Sequence, residues 1–195
     1  MSGRIDMAIV MEKDGYKFDF SDSVIDIISF DENKKLLCDG MKSVDIIAEF
    51  PNEYLFLELK KYKNKEVYFK CPLWKEYKIV SDCPLFKNEK ISGLASINRI
   101  TNDLRQKYFD TYLQRHIDGH NDKPINYICV VEGCDSALTT RLSEKVSMIL
   151  PLKRKIGNEN NEWNYFMLKN FAVVNVERWN KSPQLNRYAI CSIVE

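Results

Sequence analysis

Apolar and polar residues alternate over Tyr16–Phe20 (YKFDF), the two-residue period of a strand whose side chains point to opposite faces in turn. Ser21 or Asp22 then stands where a helix N-cap belongs and predicts a short helix to about Phe30. The β-branched run Val24, Ile25, Ile27, Ile28 is compatible with a strand instead. Strands are expected near Leu36–Cys38 and over Val44–Phe50, and after a turn at Pro51-Asn52-Glu53 a stronger one runs from Tyr54 to Tyr62. The pattern breaks over residues 63–92. From Leu94 to His116 it becomes helical, with Ile97, Ile100, Leu104, Tyr108 and Tyr112 at helical spacing. Ile125–Val131 reads as a buried strand, Ser136–Ile149 as a helix, and strands are expected around Phe171–Val176 and Tyr188–Ile193. No repeat or low-complexity tract interrupts this order, which predicts an α/β protein with a mixed sheet flanked by helices.

The informative stretch is VDIIAEFPNEYLFLELKK, residues 44–61. A hairpin loop of even length, Asn52-Glu53 or Pro51 to Tyr54, sets Asp45 opposite Lys60 and Ile47 opposite Glu58. Val44, Ile46, Ala48, Phe50, Leu55, Leu57 and Leu59 then share one uniformly apolar face, and Asp45, Glu58 and Lys60 emerge on the other. A one-residue slip would mix the two sets, so burial itself selects the register that gathers the ionisable groups. Diagonal neighbours in such a pair lie about 7–8 Å apart at Cα, so Asp45 and Glu58 can reach one cation. Two hard carboxylates, with the Leu59 backbone carbonyl as a further ligand, suit Mg²⁺, for which Mn²⁺ can substitute. Lys60 beside the metal is placed to orient a water and to stabilise charge developing on phosphorus.

An acidic residue on one strand and Glu-x-Lys on the next, followed by a long helix and another strand, resembles the PD-(D/E)XK restriction-endonuclease-like superfamily. The correspondence is Asp45, then Glu58-Leu59-Lys60, with Val44 where the motif has proline, and it spans about residues 20–150. The resemblance implies a three-layer restriction-endonuclease-like fold and a metal-dependent nuclease of DNA rather than RNA, in bacterial defence or DNA processing. It also implies Mg²⁺ on Asp45 and Glu58, with Lys60 assisting water attack. Many members add an acid from the first helix, a role for which Asp22, Asp26, Asp31 and Glu32 compete, Asp26 lying on the helix proper. Many dimerise to cut both strands, so a homodimer is among the expected states.

Other features weigh for and against that reading. Glu-x-Lys alone is common at exposed strand ends, where a solvated ion pair contributes at most about 1 kcal/mol. The apolar back face, the aspartate in register and the following helix lift it above that background. Lys plus Arg number 29 against 28 for Asp plus Glu, a net charge of +1, so a nucleic acid must be held by a local patch. Between Lys61 and Lys90 eight lysines oppose four acids, with Tyr62, Tyr68, Phe69, Trp74, Tyr77 and Phe86 interleaved. Lys61, Lys63 and Lys65 are the candidate phosphate contacts there, although a second hairpin would carry the same aromatics. On the long helix Asn98, Arg99, Asp103, Arg105, Gln106 and Lys107 are candidates to face the site, Lys107 being preferred as a nucleic-acid contact. Lys153-Arg154-Lys155 reads as a surface loop.

His116 and His120 share helical spacing, but Gly119 and its polar neighbours end the helix between them. Cys38, Cys129 and Cys191 sit in apolar segments as buried thiols, and Cys71 and Cys83 could clip a loop. No apolar run approaches the roughly 20 residues of a membrane span and no signal-like start is present, so a cytoplasmic protein without membrane contact is expected. With 195 residues, the chain suits one domain over 1–195 with a basic and aromatic insertion at 63–92. A catalytically inactive module of the same fold, binding nucleic acid or a protein partner, is the alternative.

Overall fold

The computed structural model describes residues 9–29, 40–61, 68–70, 77–79, 90–120, 122–132, 136–152 and 168–194. Asp14-Gly15 joins β1 (Val10–Lys13) to β2 (Tyr16–Phe20) with both φ angles positive, at 52° and 76°, as a two-residue hairpin turn of the matching twist demands. The next strand is β3 (Asp26–Ser29), so the short helix expected after Ser21 does not form and the strand alternative holds. A strand sends Ile27 and Ile28 to opposite faces, and each packs against a different core cluster. β4 (Ile46–Phe50) and β5 (Glu53–Lys61) follow, and then β6 (Tyr68–Lys70) and β7 (Tyr77–Ile79), which form a hairpin within the sequence's irregular stretch. The chain continues through α1 (Lys90–Ile117), β8 (Ile125–Glu132), α2 (Ser136–Ile149), β9 (Leu168–Val174), α3 (Val176–Lys181), α4 (Pro183–Asn186) and β10 (Ala189–Ile193). The expected strand at Leu36–Cys38 lies outside the described residues, as do Cys71, Cys83 and the Lys153-Arg154-Lys155 run.

Two sheets organise the core. The larger has the order β3-β4-β5-β8-β9, antiparallel across β3, β4 and β5 and parallel across β5, β8 and β9. The parallel pairs are reached through α1 and α2, the helical crossovers such pairs require. The smaller sheet, β1-β2-β10, is antiparallel. One face of the large sheet, with Ile47, Phe56, Tyr127, Cys129 and Val173, packs under Leu104 and Tyr108 of α1 and Leu142 and Val146 of α2. The other face, with Ile46, Ala48, Leu55, Leu57, Leu59 and Val130, packs on Tyr16, Phe18 and Cys191 of the small sheet and Trp179 of α3. The protein is thus α/β, with the long helices on one side of a mixed sheet and a second sheet with a short helix on the other. Among the described residues no helix is long and apolar enough to cross a membrane.

The sequence pattern missed α3. Asn175 caps it by accepting from the Arg178 N–H at 2.8 Å, and Trp179 is fully buried with its indole N–H donating to the Ala189 carbonyl. α1 ends at Ile117, and Gly119 follows with φ of 78°, as the glycine and polar residues there imply. Cys129 and Cys191 are buried free thiols.

Candidate active site

The β4–β5 hairpin closes on Phe50 opposite Glu53, leaving Pro51-Asn52 as its loop. That loop is even, so the apolar and ionisable sets separate as expected, but the register is two residues tighter. Ile47 faces Phe56 rather than Glu58, and Ile46 faces Leu57, which brings Asp45 beside Glu58 instead of Lys60. The Asp45 N–H donates to the Leu57 carbonyl at 2.9 Å, just outside the regular ladder, which begins with Ile46 opposite Leu57. The strand therefore starts at Ile46, not Val44. Val44 enters the core under α1, away from the apolar face assigned to it, and its N–H donates to Thr111 Oγ1 at 2.9 Å. The face bearing Glu58 is likewise not open to solvent, because α1 covers it.

Glu58 is fully buried in the middle strand of the sheet. Its Oε2 accepts from Lys107 Nζ at 2.8 Å, and its Oε1 lies 2.7 Å from both Lys60 Nζ and Lys107 Nζ. Oε1 thus has two ammonium groups in contact, both off the ideal hydrogen-bond angle. Lys107 Nζ is also 3.3 Å from Asp45 Oδ1, while Asp45 Oδ2 accepts from the Leu59 N–H at 2.6 Å. N–H and C=O of one strand residue point to the same edge, so the Leu59 carbonyl shares the Asp45 side of β5. Lys60 Nζ reaches Asp103 Oδ2 at 3.5 Å, and Asp103 Oδ1 holds Lys42 Nζ at 2.7 Å. Lys13, next to the Asp14-Gly15 turn, donates to the Asp45 carbonyl at 2.8 Å and to Ser29 Oγ at 3.1 Å.

Burial, with the Asp45 charge second, pushes Glu58 from its ordinary 4.5 to about 7 despite the opposing pull of Lys107 and Lys60. Burial works against the charge on Lys60, yet Glu58, Asp103 and Asp45 outweigh it and raise its pKa. Lys107 behaves alike, desolvation being overcome by Glu58 and Asp45. Asp103 is held below its ordinary 3.8, since Lys42, Lys60 and Lys107 outweigh its desolvation. The resulting site crowds two carboxylates and two ammonium groups at one end of β5, with a third carboxylate at the rim.

Among the described residues no group of three His, Cys, Asp or Glu side chains could hold a metal ion. The donors expected from the sequence, Asp45, Glu58 and the Leu59 carbonyl, are all hard oxygens, the ligand type Mg²⁺ takes while keeping several waters. Glu58 Oε1 is a locus of cation binding already, with Lys60 Nζ and Lys107 Nζ each at 2.7 Å. Asp26 does not join them. It pairs across the ladder with Glu49, near the turn end of the hairpin, is exposed, and accepts from its own neighbour Ile27 N–H. Asp22 precedes that strand, and Asp31 and Glu32 lie outside the described residues.

Lys107, expected to meet nucleic acid, sits between the two carboxylates. Lys61 ends β5, its side chain lying outside the described set, as do Lys63 and Lys65 entirely. Arg99, Arg105 and Gln106 are exposed. Asp103 was one of several helix candidates, while Lys13 and Lys42 went unnoticed. Two signals pointed to them: the Asp14-Gly15 hairpin dipeptide, and the polar series Asp103, Lys107, Thr111 at one-turn spacing on a helix whose neighbouring face is core. A cleft of about 270 Å³ lies at the opposite end of the hairpin, lined by Ser23, Phe50, Pro51, Asn52, Glu53, Arg187 and Tyr188. No protein-family model, curated protein or solved structure matches this chain.

Proposed function

We propose that this protein is a Mg²⁺-dependent nuclease of the PD-(D/E)XK, restriction-endonuclease-like kind, cutting DNA in preference to RNA. The observation that carries the reading is the convergence of Asp45, Glu58 and Lys60 at the end of a buried strand, where one Glu58 oxygen touches two ammonium groups. A mixed sheet with a β-hairpin, a long helix and a returning parallel strand agrees with such a fold.

Asp45 Oδ1, Glu58 and the Leu59 carbonyl would hold the metal, which when bound supplies Lewis-acid stabilisation of the phosphate and acidifies the attacking water. Lys60 has the remaining work. Its ammonium, charged well beyond neutral pH, orients that water and stabilises negative charge developing on the phosphoryl oxygens. Asp103 at 3.5 Å steadies Lys60 from the outer side, keeping it within reach of both Glu58 and the rim.

Labelled single-stranded DNA, duplex DNA and RNA incubated with wild type and Lys60→Ala, in Mg²⁺, Mn²⁺ or EDTA, test this. Metal-dependent cutting that falls about 10²–10³-fold in the variant is expected. Cutting that survives both EDTA and Lys60→Ala would sink the assignment. The second reading, a non-catalytic module that binds nucleic acid or a protein, draws on the lysine pairing of Glu58. It gains if every substrate stays intact and calorimetry detects no metal.

A further inference from the structure

The position between Asp45 and Glu58 is filled by a cation belonging to the chain itself. Lys107 Nζ lies 3.3 Å from Asp45 Oδ1 and 2.7 Å and 2.8 Å from the two Glu58 oxygens. Mg²⁺ binds oxygen at about 2.0–2.1 Å, so an ion shared by those carboxylates would lie in van der Waals conflict with the ammonium and repel it strongly. Both cannot be seated at once. We propose that Lys107 is a resident counter-ion that a divalent cation must displace, and that the displaced ammonium swings outward to Asp103 at the rim. The inference rests on the metal-site reading above and adds the regulation of that site.

The fold provides for both positions of the side chain. Lys107 is charged and only 15% exposed, so in the absence of metal it neutralises carboxylates that would otherwise face each other in a desolvated space. Asp103 is one helical turn earlier on α1, near enough to feel the Lys107 charge, and offers the ammonium an acceptor once it leaves Glu58. Asp103 is also more exposed, at 27%, so the movement is outward. Lys60 is the natural control, because it lies equally close to Glu58 Oε1, at 2.7 Å, without bridging to Asp45.

Calorimetry of Mn²⁺ binding to wild type, Lys107→Met and Lys60→Met separates occupancy from simple charge. Lys107→Met is expected to bind Mn²⁺ about tenfold more tightly than wild type, and Lys60→Met less than about threefold. Equal gains in the two variants, or no gain in a folded Lys107→Met, overturn the inference. Wild type alone gives an independent readout. Acylation of Lys107 by an amine reagent, followed by mass spectrometry, is expected to accelerate several-fold at saturating Mg²⁺, and unchanged labelling overturns the inference even if the Met variant does not fold. Metal binding with no response from Lys107 removes this inference and leaves the nuclease reading standing. Absence of metal binding in all three proteins removes both.

Discussion

Glu53 and Glu58 lie on the same strand five positions apart, hence on opposite faces, and the chain treats the two carboxylates differently. Glu53 is complete. Its Oε1 accepts from Arg187 and from the Tyr188 hydroxyl at 2.8 Å, its Oε2 accepts from Asn126 Nδ2 at 2.7 Å, and Asn126 in turn accepts from Asn170 at 2.7 Å. Arg187 also stacks on the Tyr188 ring, so the cluster ties β5, β8, β9 and the start of β10 together. Glu58 is more buried, faces another carboxylate, and has one oxygen met only off-angle by two ammonium groups. A buried carboxylate with full partners explains itself as a fastening. One pressed against a second carboxylate and held only by two lysine ammonium groups is arranged as a cation site, whichever cation occupies it.

The sharpest way to break this contrast is to neutralise each end in turn. Glu58→Gln is expected to lower metal-dependent cleavage about 10³-fold, whereas Glu53→Ala leaves the rate per folded molecule within about threefold. Stability should respond in the opposite sense. Glu53→Ala strands Tyr188 and Asn126 and is expected to cost about 2–3 kcal/mol, or roughly 5–9 °C in Tm, while Glu58→Gln near pH 7, which mimics the neutral form that folding favours, is expected to cost nothing. Equal losses of stability at both ends would mean that Glu58 is a fastening too.

The contrast also has a pH signature. Because folding raises Glu58 from 4.5 to about 7, its proton is bound more tightly in the folded state, so stability from this group is full below 4.5 and is lost as pH rises through 7. Wild type should therefore lose on the order of 3 kcal/mol relative to Glu58→Gln across that window, measured by urea unfolding at several pH values. The surrounding groups add little slope there: Lys60 and Lys107 are raised further into the alkaline range and Asp103 is lowered into the acid range. A flat difference between the two proteins would show that Glu58 stays ionised throughout and that the two ends of β5 are alike.

Much of this is legible in the sequence, and the reasons are specific. The parity of the β4–β5 loop placed Asp45, Glu58 and Lys60 on one side, since a strand has only two faces and the apolar residues claimed one of them. The length of that loop was not legible, because Pro51-Asn52 and Asn52-Glu53 carry similar turn chemistry, and the register moved by two. The helix cover over the second face was only partly readable, for a different reason. Polar residues at 103, 107 and 111 look like a solvated stripe unless the partner strand is known to end in charges. Asp26 failed because Ser21 and Asp22 resemble a helix cap, while Ile27 and Ile28 had two cores to fill and took the extended conformation that reaches both.

Asp103 offers the smallest and most discriminating test, because it decides where the incomplete end stops. It touches Lys60 at 3.5 Å and Lys42 at 2.7 Å, and both it and Lys42 are partly exposed, at 27% and 44%. Ion pairs at such exposure contribute about 0–1 kcal/mol after screening. A double-mutant cycle of Asp103→Asn with Lys42→Ala should therefore return a coupling below about 1 kcal/mol that shrinks in 0.5 M salt. Cleavage by Asp103→Asn should fall only about two- to fivefold, because Lys60 keeps Glu58 and loses merely its outer support. A coupling above about 2 kcal/mol that ignores salt would instead join Asp103 to the buried network, and the Glu58 end would then resemble the fastened Glu53 end more than a site open to a ligand.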